Sequence, residues 1–159
     1  MAGRRMLLMG AGGAARGALR PLLAQQPAIL TIANRTVEKA LQLAEAFRHH
    51  PSAASSVLSG LRYDELTGHH VDVVINATSS SLQVELPPLP AGVFAEGSLA
   101  YDMMYGNKLT PFLAFAQSQG AARLADGLGM LVEQAAESFF LWRGVRPDTG
   151  PVIKRLRNQ

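Results

Sequence analysis

A glycine-rich turn near the amino terminus is the part of this sequence whose residue types and spacing most directly suggest chemistry. Residues 10–15 read Gly-Ala-Gly-Gly-Ala-Ala and match the pattern G-x-G-x-x-A. In that pattern Gly10 permits a tight turn, Gly12 lets the backbone approach a pyrophosphate, and Ala15 lets a helix pack closely on a strand. The positive end of the following helix would hold the phosphates. The pattern predicts dinucleotide binding, although glycine-rich turns also occur for purely structural reasons. The predicted contacts are Gly10, Ala11, Gly12, Gly13 and Ala14.

The end of the second predicted strand indicates which dinucleotide is favoured, because it faces the adenosine ribose about twenty residues beyond the glycines. An acidic residue there would favour NAD. This sequence instead has Asn34, Arg35 and Thr36, with Lys39 one turn later. A guanidinium can stack on adenine and clamp a 2′-phosphate, so the sequence favours NADP(H). The alternative is that Arg35 is a solvated arginine at a strand end.

Hydride transfer to or from an alcohol also needs a group that takes or gives the hydroxyl proton, and the sequence offers no convincing candidate. Tyr105 and Lys108 are three residues apart, not the four that would align a Tyr-Lys pair on one helical face. The adjacent histidines at 49–50 and 69–70 cannot readily aim two rings at one metal. We therefore predict no catalytic residue and no metal site in this chain.

Composition narrows the class of protein. The 159 residues, 48% of them hydrophobic, are enough for one compact domain with a buried core. The net charge of +3 is too small and scattered to indicate nucleic-acid binding, although Lys154, Arg155 and Arg157 make the tail basic. The absence of cysteine excludes disulfides and fits a reducing cytoplasm. The apolar run at residues 6–9 is too short for a targeting or membrane-spanning segment. We expect a cytoplasmic protein that binds neither nucleic acid nor membrane.

The elements that must position these residues alternate between strand and helix. Apolar and β-branched runs predict strands at residues 6–9, 29–33, 71–75, 98–102 and 122–125. Caps, breakers and good helix formers predict helices at residues 14–25, 37–47, 111–119 and 126–142. This alternation is typical of an α/β fold. We predict a Rossmann-type, doubly wound, mostly parallel sheet with helices on both faces, followed by C-terminal helices.

Local signals add detail to these boundaries. Thr36 is predicted to cap the second helix. Thr110 stands before a proline at the first position of the third helix, and Gly120 can provide its left-handed stop. Residues 49–60, rich in Ser and Ala, are predicted to be irregular.

A serine-rich run follows the strand that ends at Asn76. No nucleophile elbow surrounds these serines, so residues 78–81 are interpreted as a loop over the cofactor at the carboxyl edge of the sheet. Thr78 and Ser79 are the predicted contacts. Three prolines at positions 87, 88 and 90 then predict an extended loop.

The last predicted helix combines one amide with an apolar surface. Gly127 and Gln134 are seven residues apart and lie nearly on one face. From the residues alone, a buried glutamine bonded to backbone is the favoured interpretation of Gln134. The run at residues 139–142 is more apolar than an isolated surface tolerates, which predicts packing against another domain and self-association of the isolated chain.

These segments together resemble the cofactor domain of the shikimate dehydrogenase family. The matching pieces follow one another in family order at residues 10–17, 34–36, 76–80, 101–105, 110–111 and 126–136. The first piece is shared by many nucleotide-binding domains, whereas the last three in this order are highly specific.

The resemblance implies an NADP-dependent oxidoreductase that reversibly reduces 3-dehydroshikimate to shikimate in aromatic amino-acid biosynthesis. By position, the glycine turn would hold the pyrophosphate. Asn34, Arg35, Thr36 and Lys39 would bind the 2′-phosphoadenosine end of the cofactor.

The resemblance also implies contacts at the reactive end of the cofactor. Met103 and Gly127 would line the nicotinamide, while Tyr105 and Gln134 would reach the substrate, which reverses the preference for a buried Gln134. The family's catalytic Lys and Asp lie in an N-terminal domain with no counterpart here. We therefore expect residues 1–159 to be the NADP-binding domain of a longer enzyme, sharing shikimate or 3-dehydroshikimate with the missing domain and inactive alone.

Two departures and two alternatives accompany the resemblance. Ser81 stands where the family usually has glycine, and residues 106–108 replace a more proline-prone turn, so we expect the loop geometry to differ there. One alternative is the quinate/shikimate paralogue that uses NAD, which the Asn-Arg-Thr sequence argues against. The other is a stand-alone NADP-binding regulatory module.

Overall fold

The fold of the chain is a six-stranded parallel sheet flanked by helices. The computed structural model describes residues 1–78 and 88–158, and within them the strand order is β3-β2-β1-β4-β5-β6. The strands are β1 Arg5–Met9, β2 Ile29–Ala33, β3 Val57–Leu61, β4 Val71–Asn76, β5 Phe94–Asp102 and β6 Arg123–Ala125. The helices are α1 Gly13–Leu23, α2 Val37–Arg48, α3 Pro111–Ser118, α4 Leu128–Arg143 and α5 Gly150–Arg157. Because the chain reverses its direction of winding between β1 and β4, the predicted doubly wound α/β fold is confirmed.

The central strand shows why the apolar runs are continuous. In β1, Met6 and Leu8 pack in the core beneath α1 and α2, whereas Leu7 and Met9 pack in the opposite core with residues of α3. All four side chains are fully buried. A strand covered on both faces needs apolar residues at every position, because its side chains alternate between the faces.

The prediction that residues 49–60 are irregular is wrong at its end, because β3 begins at Val57. This strand pairs in parallel with β2 at the edge of the sheet, and its first residue, Val57, is 64% exposed. An added Cβ at Gly60 would lie 2.6 Å from the backbone nitrogen of Leu41, so the glycine lets α2 pack directly on the strand. A half-exposed edge strand with Ser and Gly at its centre lacks the apolar run that identifies the interior strands.

Strand β5 begins four residues earlier than the predicted 98–102. Its pairing with β4 is regular from Leu99 onward but shifts between Val71 and Val73, and Gly97 within the irregularity has a φ of 72°. A bulge of this kind interrupts the alternation of side chains from which strands are predicted. The sequence therefore indicated only the regular half of the strand.

The helix signals were largely correct. The Thr110 hydroxyl accepts a hydrogen bond from the Leu113 N–H at the start of α3, and Gly120 adopts the predicted left-handed conformation with a φ of 88°. Thr36 occupies the N-cap position of α2, but its side chain makes no capping hydrogen bond. Helix α4 begins at Leu128, two residues later than predicted, because the Asp126 carboxylate accepts the Leu128 N–H and ends the preceding segment.

The basic tail forms α5, and an ion pair holds it against the start of α4. Both terminal nitrogens of Arg157 donate to the Asp126 carboxylate, at 2.6 and 2.5 Å. The Asp126 side chain is only 9% exposed, so this contact is shielded from solvent on the aspartate side. None of the helices in residues 1–78 and 88–158 has the length and hydropathy needed to cross a membrane.

A pair at the amino-terminal edge of the sheet gives a pH-dependent prediction. Arg5 donates its backbone N–H and its guanidinium to Asp72 at 2.8 and 3.0 Å, and these hydrogen bonds lower the pKa of the Asp72 carboxyl. A depressed folded-state pKa stabilises the protein above the unfolded pKa of about 4, and this contribution is lost as the pH falls through the folded value. Asp72→Asn should therefore lower the free energy of unfolding by about 1 kcal/mol at pH 7.

Urea denaturation at pH 7 and at pH 3 measures this effect, and the difference between wild type and Asp72→Asn should shrink in acid. Asp64→Asn is the matched control, because the Asp64 carboxylate also accepts from an arginine, Arg62, but is 72% exposed. A difference for Asp72→Asn that stays constant with pH would show that ionisation of the carboxyl plays no part.

Candidate functional site

A groove of about 520 Å³ opens where the strand order reverses, at the carboxyl ends of β1, β2 and β4. Ligands of open α/β sheets bind at this point, because the connections leave in opposite directions and open a crevice between them. The described lining residues are Gly10, Ala11, Gly12, Gly13, Ala14, Asn34, Arg35, Thr36, Lys39, Tyr63, Ala77, Thr78 and Pro88. The structure thus brings together the residues predicted at the glycine turn and at the end of the second strand.

The glycine turn leaves room above its own backbone. Gly10 has a φ of 99°, and an added Cβ would lie 3.1 Å from the Ala77 carbonyl oxygen, so this position requires glycine. Gly12, in contrast, stands at the N-cap of α1 with a φ of −86°, and nothing lies within 4 Å of an added Cβ. The absence of a side chain at Gly12 is therefore not needed for packing and leaves the backbone accessible from the groove.

The electrostatics of the groove favour an anion. The first N–H groups of α1 have no partners within the helix, and its first turn carries no acidic residue. The charged side chains among the described lining residues are Arg35 and Lys39, both cationic. A negatively charged group near Gly12 and another near Arg35 would both be stabilised.

A buried hydrogen-bond network fixes the carboxyl ends of β4 and β5 beneath the groove. The Asp102 carboxylate accepts from the Asn76 amide at 3.1 Å, from the Met104 N–H at 3.1 Å and from the Thr110 hydroxyl at 2.5 Å. The Asn76 side-chain oxygen accepts in turn from the backbone N–H and the hydroxyl of Thr78, at 3.1 and 2.7 Å. The network therefore connects the groove-lining Thr78 with the start of α3.

Met103 and Gly127, predicted at the nicotinamide, contact each other beside the groove. The Met103 N–H donates to the Asn76 carbonyl at 3.0 Å, which places Met103 just beyond β5. An added Cβ at Gly127 would lie 2.0 Å from the Met103 carbonyl oxygen, closer than any real contact. Neither residue belongs to the described lining of the groove, so their contact with a nicotinamide stays a prediction.

Tyr105 and Gln134, predicted to reach a substrate, are not among the described residues that line the groove. Tyr105 is 48% exposed and lines a separate cavity of about 300 Å³ between its own loop, α4 and α5, with Leu128 and Arg157. Gln134 is exposed on α4, so the interpretation of a buried glutamine bonded to backbone is wrong. The side-chain amide of Gln134 is open to solvent and available to a ligand or to another domain. Ser79 lies outside the described residues.

Two of the four histidines have local roles. The His50 ring accepts the Ser52 N–H at 3.1 Å, and a ring nitrogen of His70 is 2.8 Å from the Gly92 carbonyl, to which it donates. Each interaction holds a turn or a loop in place, which is the ordinary use of a histidine outside an active site.

The structure adds Tyr63, Ala77 and Pro88 to the groove, which the sequence did not indicate. Tyr63 is the second residue after β3 and is only 7% exposed. Burial raises the pKa of its hydroxyl to about 12, against a smaller opposing effect of the Arg35 charge. An aromatic residue after the strand beside β2 would have been a usable signal, but only once β3 itself had been recognised.

Comparison with known proteins agrees with this geometry. The family described as "Shikimate / quinate 5-dehydrogenase" matches residues 1–85, and the "Shikimate 5'-dehydrogenase C-terminal domain" matches residues 127–157. The chain is 66% identical over 155 residues to a "Shikimate dehydrogenase (NADP(+))" of Nitrosospira multiformis, covering 98% of this chain and 54% of that protein. The chain thus spans about half the length of the curated relatives it matches.

Solved structures give the same result. An Ael1 enzyme from Pseudomonas putida superimposes with a TM-score of 0.85 at 55% identity, over 98% of this chain and 55% of that one. A shikimate dehydrogenase crystallised with NADP+ superimposes with a TM-score of 0.79 at 32% identity, over 99% of this chain and 55% of that one. The sheet order agrees with these structures, and the family model matches more than half of the residues of the chain. The chain therefore belongs to the shikimate / quinate 5-dehydrogenase family.

Proposed function

We propose that this chain binds NADP in the groove and provides the cofactor-binding part of a shikimate dehydrogenase, which reversibly reduces 3-dehydroshikimate to shikimate. The observation that carries the proposal is the placement of Arg35 and Lys39 on the same groove as an open glycine turn. Relatives named as NADP-dependent shikimate dehydrogenases support it.

The groove residues fit the phosphates of a dinucleotide. The pyrophosphate would lie on the N–H groups at Gly12 and Gly13, where no side chain blocks its approach and the helix end is positive. The buried network beneath Thr78 would keep this side of the groove rigid, so little conformational entropy would be lost on binding.

The end of β2 fits a phosphorylated ribose. The Asn34 side-chain amide donates to the Thr36 carbonyl at 2.9 Å and so fixes the turn between β2 and α2. The Thr36 hydroxyl does not cap α2 and is available as a donor. With the guanidinium of Arg35 and the ammonium of Lys39, it would bind a 2′-phosphate, which NAD lacks.

The remaining predicted contacts belong to the reactive end. NADPH supplies the hydride when it is bound. Met103 and Gly127 would form the wall against the nicotinamide, and Tyr105 and Gln134 would contact the substrate. None of the residues of this chain is assigned the role of proton donor or acceptor, so we propose that the chain alone binds NADP without turnover.

The absence of cysteine supports a cytoplasmic location.

Calorimetric titration with NADP and NAD, followed by an assay of shikimate oxidation on the same sample, tests this proposal. We expect NADP to bind at least tenfold more tightly than NAD, because the 2′-phosphate gains charge-assisted hydrogen bonds. We expect no turnover. Equal affinity for both dinucleotides would contradict the role of Arg35 and Lys39, and measurable turnover would show that a catalytic group lies within these residues.

A matched pair of glycine substitutions locates the binding site in the same experiment. Neither Gly12 nor Gly17 has any atom within 4 Å of an added Cβ, so Gly12→Ala and Gly17→Ala should both fold normally. Only Gly12→Ala should weaken NADP binding, by about tenfold, because its methyl group would occupy the space of the pyrophosphate. Equal affinities for the two variants would place the phosphates elsewhere.

A further inference from the structure

Tyr63 lines the same groove as the cationic side chains of Arg35 and Lys39. It follows β3, the strand beside β2, and lines the groove together with Arg35 and Pro88. The same three residues also line an adjoining cavity of about 170 Å³, which Arg62 and Asp64 complete. Tyr63 and Arg35 therefore form a common wall between the main groove and its outer extension.

The backbone around Tyr63 is held in one conformation. The Arg62 N–H donates to the Glu65 carboxylate at 2.6 Å, and the Leu66 N–H donates to the Tyr63 carbonyl at 3.3 Å. Leu66 is fully buried and anchors this short turn in the core beneath β1. The Asn34 N–H donates to the carbonyl of Leu61 at 3.2 Å, which couples the ends of β2 and β3. The side chain of Tyr63 is thus presented to the groove by a rigid support.

The hydroxyl of Tyr63 has no acceptor among the residues that the structure describes. Among residues 1–78 and 88–158, no group forms a hydrogen bond with it, although the side chain is only 7% exposed. With a pKa of about 12, raised by burial, the hydroxyl remains protonated at physiological pH and can donate to an anion.

We propose that Tyr63 is a specificity-determining residue for the adenosine end of the cofactor, where its hydroxyl donates a hydrogen bond to the 2′-phosphate that Arg35 binds. This inference rests on the proposed function. It adds a neutral hydrogen-bond donor to the two cationic donors, Arg35 and Lys39. The neutral hydroxyl would form a directional hydrogen bond, whereas Arg35 and Lys39 would attract the phosphate by their charge. The hydroxyl would therefore distinguish NADP from NAD by the presence of a phosphate oxygen that accepts its hydrogen bond.

The test uses Tyr63→Phe, which removes only the hydroxyl, and two ligands that represent the adenosine end with and without the 2′-phosphate. Calorimetry with adenosine 2′,5′-bisphosphate should show about a tenfold loss of affinity relative to wild type. Adenosine 5′-monophosphate should bind wild type and variant with affinities within twofold. The thermal midpoint of the free protein should not fall, because the hydroxyl makes no hydrogen bond within residues 1–78 and 88–158.

Tyr101→Phe is the matched control, because it makes the same chemical change on a half-buried tyrosine that lines a different, apolar cavity with Ala18 and Leu22. It should leave both affinities unchanged. An unchanged affinity of Tyr63→Phe for the bisphosphate, or an equal loss for both ligands, would overturn the inference while leaving the proposed function intact. Failure of the wild-type chain to bind the bisphosphate and NADP would overturn both.

Discussion

Replacing Gly127 with alanine is expected to lower the free energy of unfolding by about 3 kcal/mol, one of the two largest effects that the structure predicts. An added Cβ would lie 2.0 Å from the carbonyl oxygen of Met103 and 2.7 Å from its carbonyl carbon. Both atoms belong to backbone, so no side-chain rotation can relieve the contact. The Gly127 N–H also donates to the Met104 carbonyl at 3.0 Å, and this bond would be lost as α4 moves away from β5.

Gly129→Ala is the matched control for this substitution, two residues farther along the chain. Nothing lies within 4 Å of its added Cβ, and alanine is the better helix former, so this variant should be as stable as wild type or up to about 1 kcal/mol more stable. Urea denaturation followed by circular dichroism gives the free energies. Hydrogen exchange of the α4 amides shows whether the loss is confined to that helix. A Gly127→Ala variant as stable as Gly129→Ala would mean that α4 does not contact the end of β5.

Asp102→Ala is the second large effect, with an expected loss of about 4 kcal/mol. The substitution removes the acceptor for the Asn76 amide, the Met104 N–H and the Thr110 hydroxyl, in a region where Asn76 and Asp102 are fully buried. Each hydrogen bond lost from a buried donor in this way costs about 1–3 kcal/mol. Because Asn76 also orients Thr78, the proposed affinity for NADP should fall in parallel.

Graded substitutions separate the network from a simple cavity effect. Asp102→Asn keeps the volume and one oxygen, so it should cost about half as much as alanine. Thr110→Ser keeps the hydroxyl that donates to Asp102 and accepts from the Leu113 N–H, and it should cost the least. If the Asp102→Asn variant were as stable as wild type, the carboxylate would not be needed as an acceptor for these donors. Non-additivity of Asp102→Asn and Thr110→Val in a double-mutant cycle would measure their coupling.

The interior of the fold was predictable from the sequence because each interior strand is covered on both faces. Residues 6–9 are apolar at every position and Ile29–Ala33 at every position except Thr31, and the structure confirms these runs as β1 and β2 to within one residue. The edge of the sheet was not predictable in this way. β3 has Ser59 and Gly60 at its centre, and the glycine is required by the approach of α2, a contact between segments that local sequence does not specify.

The groove was predictable where a short motif defines it and not where distant segments meet. The glycine turn and the residues 34–36 each stand directly after a strand, so their positions follow from the strand order. Tyr63 depends on the unrecognised β3. Asp102 was predicted only as a strand end, because its partners Asn76 and Thr110 come from elements on either side of it in the chain. A polar network between distant segments produces no regular spacing of residue types in the sequence, so it cannot be predicted in the way that strands and helices are.

The position of β1 between β2 and β4 has a consequence for how the protein folds. β1 and β2 pair across a single short helix, whereas the pairing of β1 with β4 joins residues such as Met6 and Val73, which are 67 positions apart. Closing the longer loop costs more chain entropy before any contact is gained, so this pairing should form late on the folding pathway. The proposed cofactor groove lies across the boundary between β1 and β4, because its lining residues follow both strands. Nucleotide binding would therefore appear only at the last stage of folding, and a ligand trapped there would slow the first step of unfolding.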